Sequence, residues 1–279
     1  MLKPAEPLVS VCIPVYNCDR YIGQAIESVL SQTYPNLELV IINDDSTDQT
    51  LDVVRSYLDP RIRVVMNERR LGHQDNWNKA LTEARGEFLK LLPADDLLYP
   101  DCLRRELEIL AAPENKGVAL VCCSRDVIDS RGKVLLKRSF KSKKARVNGS
   151  QAIRASIRAG TNLIGEPGAV LLRSEDARQA GLFDARYFYV IDLDYWRRLL
   201  ARGDLYIIPD VLCAFRVAKG SASVSVAASQ SRDFRRFIRE LRKTEPRVLS
   251  GLDCLIGEFM ALANRWLRSL FYRLIVRES

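Results

Sequence analysis

Leu91-Leu92-Pro93-Ala94-Asp95-Asp96-Leu97-Leu98-Tyr99-Pro100 is the stretch on which the fold turns. The apolar run Phe88 to Leu92 predicts a buried strand, and it stops at a proline and two adjacent carboxylates. Pro100 and Asp101 restart the chain as a helix with Leu103, Leu107 and Leu110 on one face. Carboxylates at the carboxyl end of a buried strand face the crevice where open α/β sheets bind ligands. Two such charges side by side repel, so the pair calls for a cation. On the dipeptide alone, a turn with one residue capping the next helix is the simpler account. The flanking sequence reverses that preference.

Working back towards the amino terminus, strand and helix alternate. Leu8 to Val15, Leu37 to Ile42 and Ile62 to Met66 predict three further buried strands. Between them lie helical patterns: Ile22, Ala25, Ile26, Val29 and Leu30 behind a capping Asp19; Leu51, Val54 and Leu58; then Trp77, Ala80, Leu81 and Ala84. Repeated βα units predict a parallel, doubly wound sheet with helices on both faces. No glycine-rich loop follows any of these strands, so neither the dinucleotide fingerprint nor the P-loop is present. A diphosphate bound here needs another neutralising group, and a metal on the Asp95-Asp96 turn supplies one.

Towards the carboxyl terminus the alternation breaks. Val118 to Ser124 predicts a strand, and a basic, loop-like region runs on to about Gly149. Later strands are expected at Ala169 to Arg173, Leu205 to Ile208 and Leu212 to Val217, with a helix from Asp194 to Arg202. The last fifty or so residues are helical. Phe234, Phe237, Ile238 and Leu241 form one apolar stripe; Leu252, Leu255, Ile256, Phe259, Leu262, Trp266, Leu270 and Leu274 form a longer one.

The 279 residues carry 47% hydrophobic and 28% charged side chains, the balance of a soluble globular chain. No apolar run nears the roughly 18 residues of a membrane span, and the amino terminus has no signal-peptide core, so a cytoplasmic location is expected. Seven cysteines without knuckle spacing predict reduced, mostly buried thiols. The net charge is +8, and from Ser231 onward eleven Lys and Arg face six Asp and Glu. Basic patches suit nucleic acid, anionic membrane or phosphorylated substrates alike. The chain has no nucleic-acid module and its aromatics are not interleaved with the basic runs, so nucleic acid is not an expected partner.

From about Leu8 to Ser225 the chain resembles the inverting family-2 glycosyltransferases, which have the GT-A fold. The resemblance rests on ordered segments: Val11-Cys12-Ile13-Pro14-Val15-Tyr16-Asn17, Ile42-Asn43-Asp44-Asp45-Ser46-Thr47-Asp48, Asn76-Trp77-Asn78-Lys79-Ala80-Leu81, Ala94-Asp95-Asp96, and Ile191-Asp192-Leu193-Asp194-Tyr195-Trp196. It implies a Rossmann-like, mostly parallel sheet over 1–225, with a nucleotide-sugar half (8–125) and an acceptor half (126–225). An amphipathic helical extension follows over 226–279.

The resemblance implies a nucleotide site at Pro14, Val15, Tyr16, Asn17, Asp44, Asn78 and Asp95, with Asp95 on the ribose side. Asp96 is then the ligand for Mn²⁺ or Mg²⁺, and Asp192 the catalytic base. Asp194 is left to cap the following helix, and Trp196 to the core. Three positions depart from the family pattern. Pro93 stands where many relatives have a further aspartate, Asp45 where glycine is common, and Ala218 where histidine is frequent. Arg216 or Lys219 is then expected to meet the phosphates. His73, the chain's single histidine, is expected in a surface loop.

The expected partners are a nucleotide-sugar donor, with UDP preferred, and a glycan or lipid-linked glycan acceptor of cell-surface polysaccharide synthesis. For the C-terminal helices the expectations are packing or homodimerisation first, and peripheral contact with the inner membrane face close behind. A catalytically silent nucleotide-sugar-binding protein is the alternative, which the leaner metal turn and Ala218 permit and Asp192 opposes.

Overall fold

The computed structural model describes residues 6–218 and 230–278, with the side chains of 185 and 269–278 outside the description. The four amino-terminal strands are β1 (Val9–Val15), β2 (Leu37–Asn43), β3 (Ile62–Met66) and β4 (Phe88–Leu91). They pair in parallel in the order β3-β2-β1-β4. β1 is buried at every position, as a strand covered on both faces requires. The intervening helices are α1 (Asp19–Leu30), α2 (Thr50–Arg55) and α3 (His73–Glu83). Asp19 does not cap α1. The amides at its start are met from the β2–α2 loop and the first residue of α2 instead: Cys18 N donates to Thr50 Oγ1 (2.8 Å) and Asp19 N to Asp48 Oδ2 (3.2 Å).

After β5 (Leu97–Leu98) and α4 (Cys102–Leu110) come β6 (Val118–Ile128), β7 (Val134–Arg138), β8 (Arg146–Val147), α5 (Gly149–Ala159), β9 (Val170–Arg173), α6 (Ser174–Ala180), α7 (Ile191–Leu200) and β10 (Asp204–Arg216). β9 runs antiparallel between β4 and β6, and β10 runs parallel beside β6. The sheet is therefore mostly parallel and flanked by helices, as expected. Two local expectations are corrected. The basic region before Gly149 contributes β7, which pairs with β6, and β8, which pairs with β10. The two strands expected around Pro209 are one strand, β10, whose register slips between Ile208 and Val211. Proline cannot donate to the ladder, and a bulge accommodates it.

Apolar cores fill both faces of the sheet. One of them encloses an ion pair. Lys90 Nζ lies 2.8 Å from Glu106 and donates to Gly168 O (2.9 Å) and Val170 O (3.1 Å). Cys102 and Cys123 lie close enough to Glu106 to share a cation with it, but the Lys90 ammonium already neutralises that carboxylate.

The chain closes with α8 (Gln230–Thr244) and α9 (Gly251–Glu278). α8 buries its expected stripe of Phe234, Phe237, Ile238 and Leu241. α9 does the reverse of packing inward. Among its described side chains the buried ones are Asp253, Gly257 and Ala261, while Leu252, Leu255, Phe259 and Trp266 are exposed; Leu270 and Leu274 of the expected stripe lie outside the described side chains.

Candidate active site

A cleft of about 660 Å³ opens at the carboxyl ends of β1, β2 and β4, where the strand order diverges on either side of β1. Pro14, Val15, Tyr16 and Asn17, at the end of β1, all line it. Asn17 has φ 46°, and its Oδ1 accepts from Thr47 N at 2.8 Å while its own amide donates to Ser46 Oγ at 3.1 Å. Asp45 has φ 58°. That left-handed conformation explains why glycine is common there, and aspartate is among the few residues that tolerate it. The turn is preserved.

Asp44 is almost wholly buried in the cleft wall. Its Oδ1 accepts from Asn67 Nδ2 (2.8 Å) and Leu71 N (2.7 Å), and its Oδ2 from Gly72 N (2.9 Å). The carboxylate thereby ties down the loop before α3 and holds Arg70 with its guanidinium 4.0 Å from the centre of the Tyr16 ring. His73 opens α3 and packs between Trp77 and Phe188, ring centres 4.3 and 5.2 Å away. Burial pushes its pKa down to about 4, so it enters the cleft as a neutral imidazole. The surface-loop expectation for His73 is corrected.

So is the nucleotide role of Asn78. It does not line the cleft: its Nδ2 donates to Phe183 O (3.2 Å) and its Oδ1 accepts from Phe183 N (2.7 Å). Asn76 reaches the cleft instead, because residues two apart on a helix point to opposite sides.

The Asp95-Asp96 turn also departs from expectation. Asp95 lines the cleft, whereas Asp96 is buried behind it and accepts from Arg216 N at 2.8 Å. Of the two carboxylates, Asp95 is the one that lines the cleft. Burial raises the pKa of both carboxyls, and for Asp96 the adjacent Asp95 adds to it. Arg216 is corrected as well. It touches the cleft but is 1% exposed. Its guanidinium donates to Asp95 O (2.7 Å), Asp129 O (3.1 Å) and Gln24 Oε1 (2.8 Å), so it clamps the turn and is not a free phosphate ligand. Lys219 lies outside the described residues.

The far end of the cleft is built around Asp192, in the first turn of α7. Its Oδ2 accepts from Asn162 Nδ2 (2.9 Å) and its Oδ1 from Leu193 N (2.7 Å). Asn162 is fixed in turn by Gly165, donating to its carbonyl (2.9 Å) and accepting from its amide (3.2 Å). Glu166 stands nearby between two cations, in contact with Arg125 Nε and 3.0 Å from Arg138. Burial alone would raise the pKa of Glu166, but those two guanidiniums outweigh it and hold the residue ionised. Burial and the Glu166 charge push Asp192 up to about 7, against the opposing bonds from Leu193 and Asn162. Asp194 does not cap α7. It is buried in ion pairs with Arg197 (3.0 Å) and Arg198 (3.2 Å) one turn on. Trp196 is core, as expected, with Nε1 donating to Gly165 O at 3.0 Å.

Chemically, the cleft joins an aromatic and proline wall with a carboxylate acceptor at one end to a hydrogen-bonded, proton-accepting carboxylate at the other. Solved structures of similar fold include Staphylococcus aureus TarS 1-349 in complex with UDP-GlcNAc (TM-score 0.68, 20% identity, 92% of this chain and 72% of that one). Another is the mannosyltransferase PcManGT of Pyrobaculum calidifontis in complex with GDP-Man and Mn²⁺ (TM-score 0.63, 20% identity, 94% and 75%). Among curated relatives, an uncharacterized protein of Mycobacterium tuberculosis is 31% identical over 82% of this chain and 73% of its own. A putative teichuronic acid biosynthesis glycosyltransferase, TuaG of Bacillus subtilis, is 41% identical over 38% of this chain and 42% of its own. The fold is GT-A, and the model of glycosyl transferase family 2 matches residues 10–179: the chain belongs to that family.

Proposed function

We propose that the protein is an inverting glycosyltransferase that moves a sugar from UDP to an acceptor hydroxyl in cell-surface polysaccharide synthesis, on the cytoplasmic side. The observation that carries this reading is the single cleft with Tyr16, Asp44 and Asp95 at one end and the held Asp192 carboxylate at the other. A carboxylate offers about four lone-pair sites, and Asp44 has committed three to Asn67, Leu71 and Gly72. One acceptor site matches the single imide N–H of uracil better than the paired donors of guanine. The aromatic ring of Tyr16, with Arg70 against it, provides a stacking surface for the base.

Asp95 would hold a Mn²⁺ or Mg²⁺ ion together with the donor phosphates, an arrangement hard cations accept with one or two protein carboxylates. Burial raises its pKa although Arg216 stands close, and a cation at the cleft would favour the ionised carboxylate. The bound ion supplies Lewis-acid neutralisation of the leaving diphosphate. Asp192 takes the acceptor proton as its oxygen attacks, with Asn162 and Leu193 N fixing the carboxylate. The similarity to TuaG supports a surface-glycan product.

Binding and turnover measured together test the reading. UDP binds more tightly with Mn²⁺ than without in calorimetry, and Asp95→Ala removes that enhancement. Asp96→Ala keeps it but loses about 1–3 kcal/mol of stability, because Arg216 N is left unsatisfied. If metal enhancement survives in Asp95→Ala and vanishes in Asp96→Ala, the assignment of the two carboxylates is reversed.

A further inference from the structure

α9 sits on the body of the protein through a narrow face of small and polar residues. A Cβ added at Gly257 would come within 2.6 Å of Ile157 O, so only glycine allows so close an approach to α5. Asn264 Nδ2 donates to Ala159 O (2.8 Å) and Gly160 O (3.1 Å), serving the carboxyl end of α5, and Asp253 meets Arg158 at 3.3 Å. The opposite face is a row of large apolar side chains at steps of three and four: Leu252, Leu255, Phe259, Leu262 and Trp266. Leu255, Phe259 and Trp266 are 71, 70 and 79% exposed. A contiguous apolar row turned to water marks a surface that something covers.

Charge identifies the cover. Residues 230–268 carry nine Arg and Lys against five Asp and Glu. Arg232, Arg236, Arg239, Arg242 and Lys243 of α8 are exposed, as is Arg265 beside Trp266. We propose that this face docks on an anionic lipid bilayer, with α9 lying in the interface plane. Its apolar row enters the acyl boundary, and the surrounding Arg and Lys side chains meet the headgroups. A second copy is the weaker fit, since a two-fold contact sets a net-positive face against itself. No described helix is long and apolar enough to cross a membrane, which leaves surface contact as the mode for this row.

The face of α9 that sits on the body, opposite the apolar row, reaches the cleft. Arg268, on α9, donates to Tyr189 Oη, and Tyr189 lines the cleft together with Asp192. The docked helix is thereby tied to the acceptor end of the cleft. On the glycosyltransferase reading, on which this clause alone rests, the acceptor is a glycan presented on a lipid at that surface.

Tryptophan fluorescence reads the contact directly, because Trp77 and Trp196 are buried and Trp266 is exposed. The full chain is titrated with vesicles of phosphatidylcholine alone and of phosphatidylcholine with phosphatidylglycerol, and the same mixtures are sedimented. Emission moves to the blue with the anionic vesicles only, and the shift weakens as salt rises. Trp266→Phe loses the shift yet still sediments with the vesicles. Leu255→Glu with Phe259→Glu lowers partition by about tenfold or more, with melting temperature and UDP binding unchanged, since both side chains face solvent. Equal vesicle binding by the double variant, or none by the wild type, overturns the proposal. So does a concentration-dependent dimer that the double variant abolishes in a protein indifferent to vesicles; that result assigns the face to a second copy. UDP binding on the same preparation reports separately on the glycosyltransferase reading.

Discussion

Replacing Asp192 by asparagine lowers sugar transfer by about 10²–10⁴-fold and leaves donor affinity nearly unchanged. The side chain keeps its shape but loses its basicity, and in the proposed mechanism the base acts on the acceptor rather than on the nucleotide. Transfer by the wild type also depends on pH in a defined direction. Burial, reinforced by Glu166, pushes the Asp192 carboxyl from its ordinary 3.8 up to about 7. A base works only when deprotonated, so transfer rises with pH through about 7 and levels off above it. Stability runs the other way. Between those two values the native state keeps a proton that the unfolded chain has released, so this group's contribution falls as pH rises. Asp192→Asn removes both dependences. Transfer and UDP binding are measured on one preparation across pH 5 to 9, and near-normal transfer by the variant would falsify the assignment.

The residues legible in the sequence are those whose role follows from strand-end position. Pro14, Tyr16 and Asp44 all line the cleft, because the end of a buried strand leaves its side chains few places to go; Asp192 lines it from the first turn of α7, where the ordered segments of the resemblance put it. The alternation of strand and helix likewise specifies the parallel half of the sheet. What was not legible depends on partners distant in sequence. Asn162 and Glu166 sit in a stretch without periodicity, and only the folded chain sets them beside Asp192 and Arg138. The order of Asp95 and Asp96 depends on which of them Arg216 N captures from 120 residues away. Asn78 misled because its spacing within the segment says nothing of which helix face meets Phe183. The outward turn of α9 follows from Gly257 and Ala261 making the closer contact with α5, which an apolar stripe alone would not suggest.

Glu106→Ala destabilises the protein by about 3–5 kcal/mol. Lys90 and Glu106 both have side-chain exposure of 0%, so removal of the carboxylate strands an ammonium in an apolar core. The two carbonyls that Lys90 also meets, from Gly168 and Val170, carry partial charges only and cannot replace a carboxylate. Replacing both partners with apolar groups of similar size, as in Lys90→Met with Glu106→Leu, restores most of the stability, because no buried charge is left unpaired. That double variant still loses something at the site. Lys90 ties the Gly168 carbonyl in place, Pro167 lines the cleft, and a Cβ at Gly168 would lie 3.9 Å from Asp96 Oδ2. Its UDP affinity therefore falls although its melting temperature recovers. Denaturant unfolding and calorimetry on the single and double variants check both halves. A single variant that loses less than about 1 kcal/mol would mean that water reaches Lys90, as it does for an exposed pair.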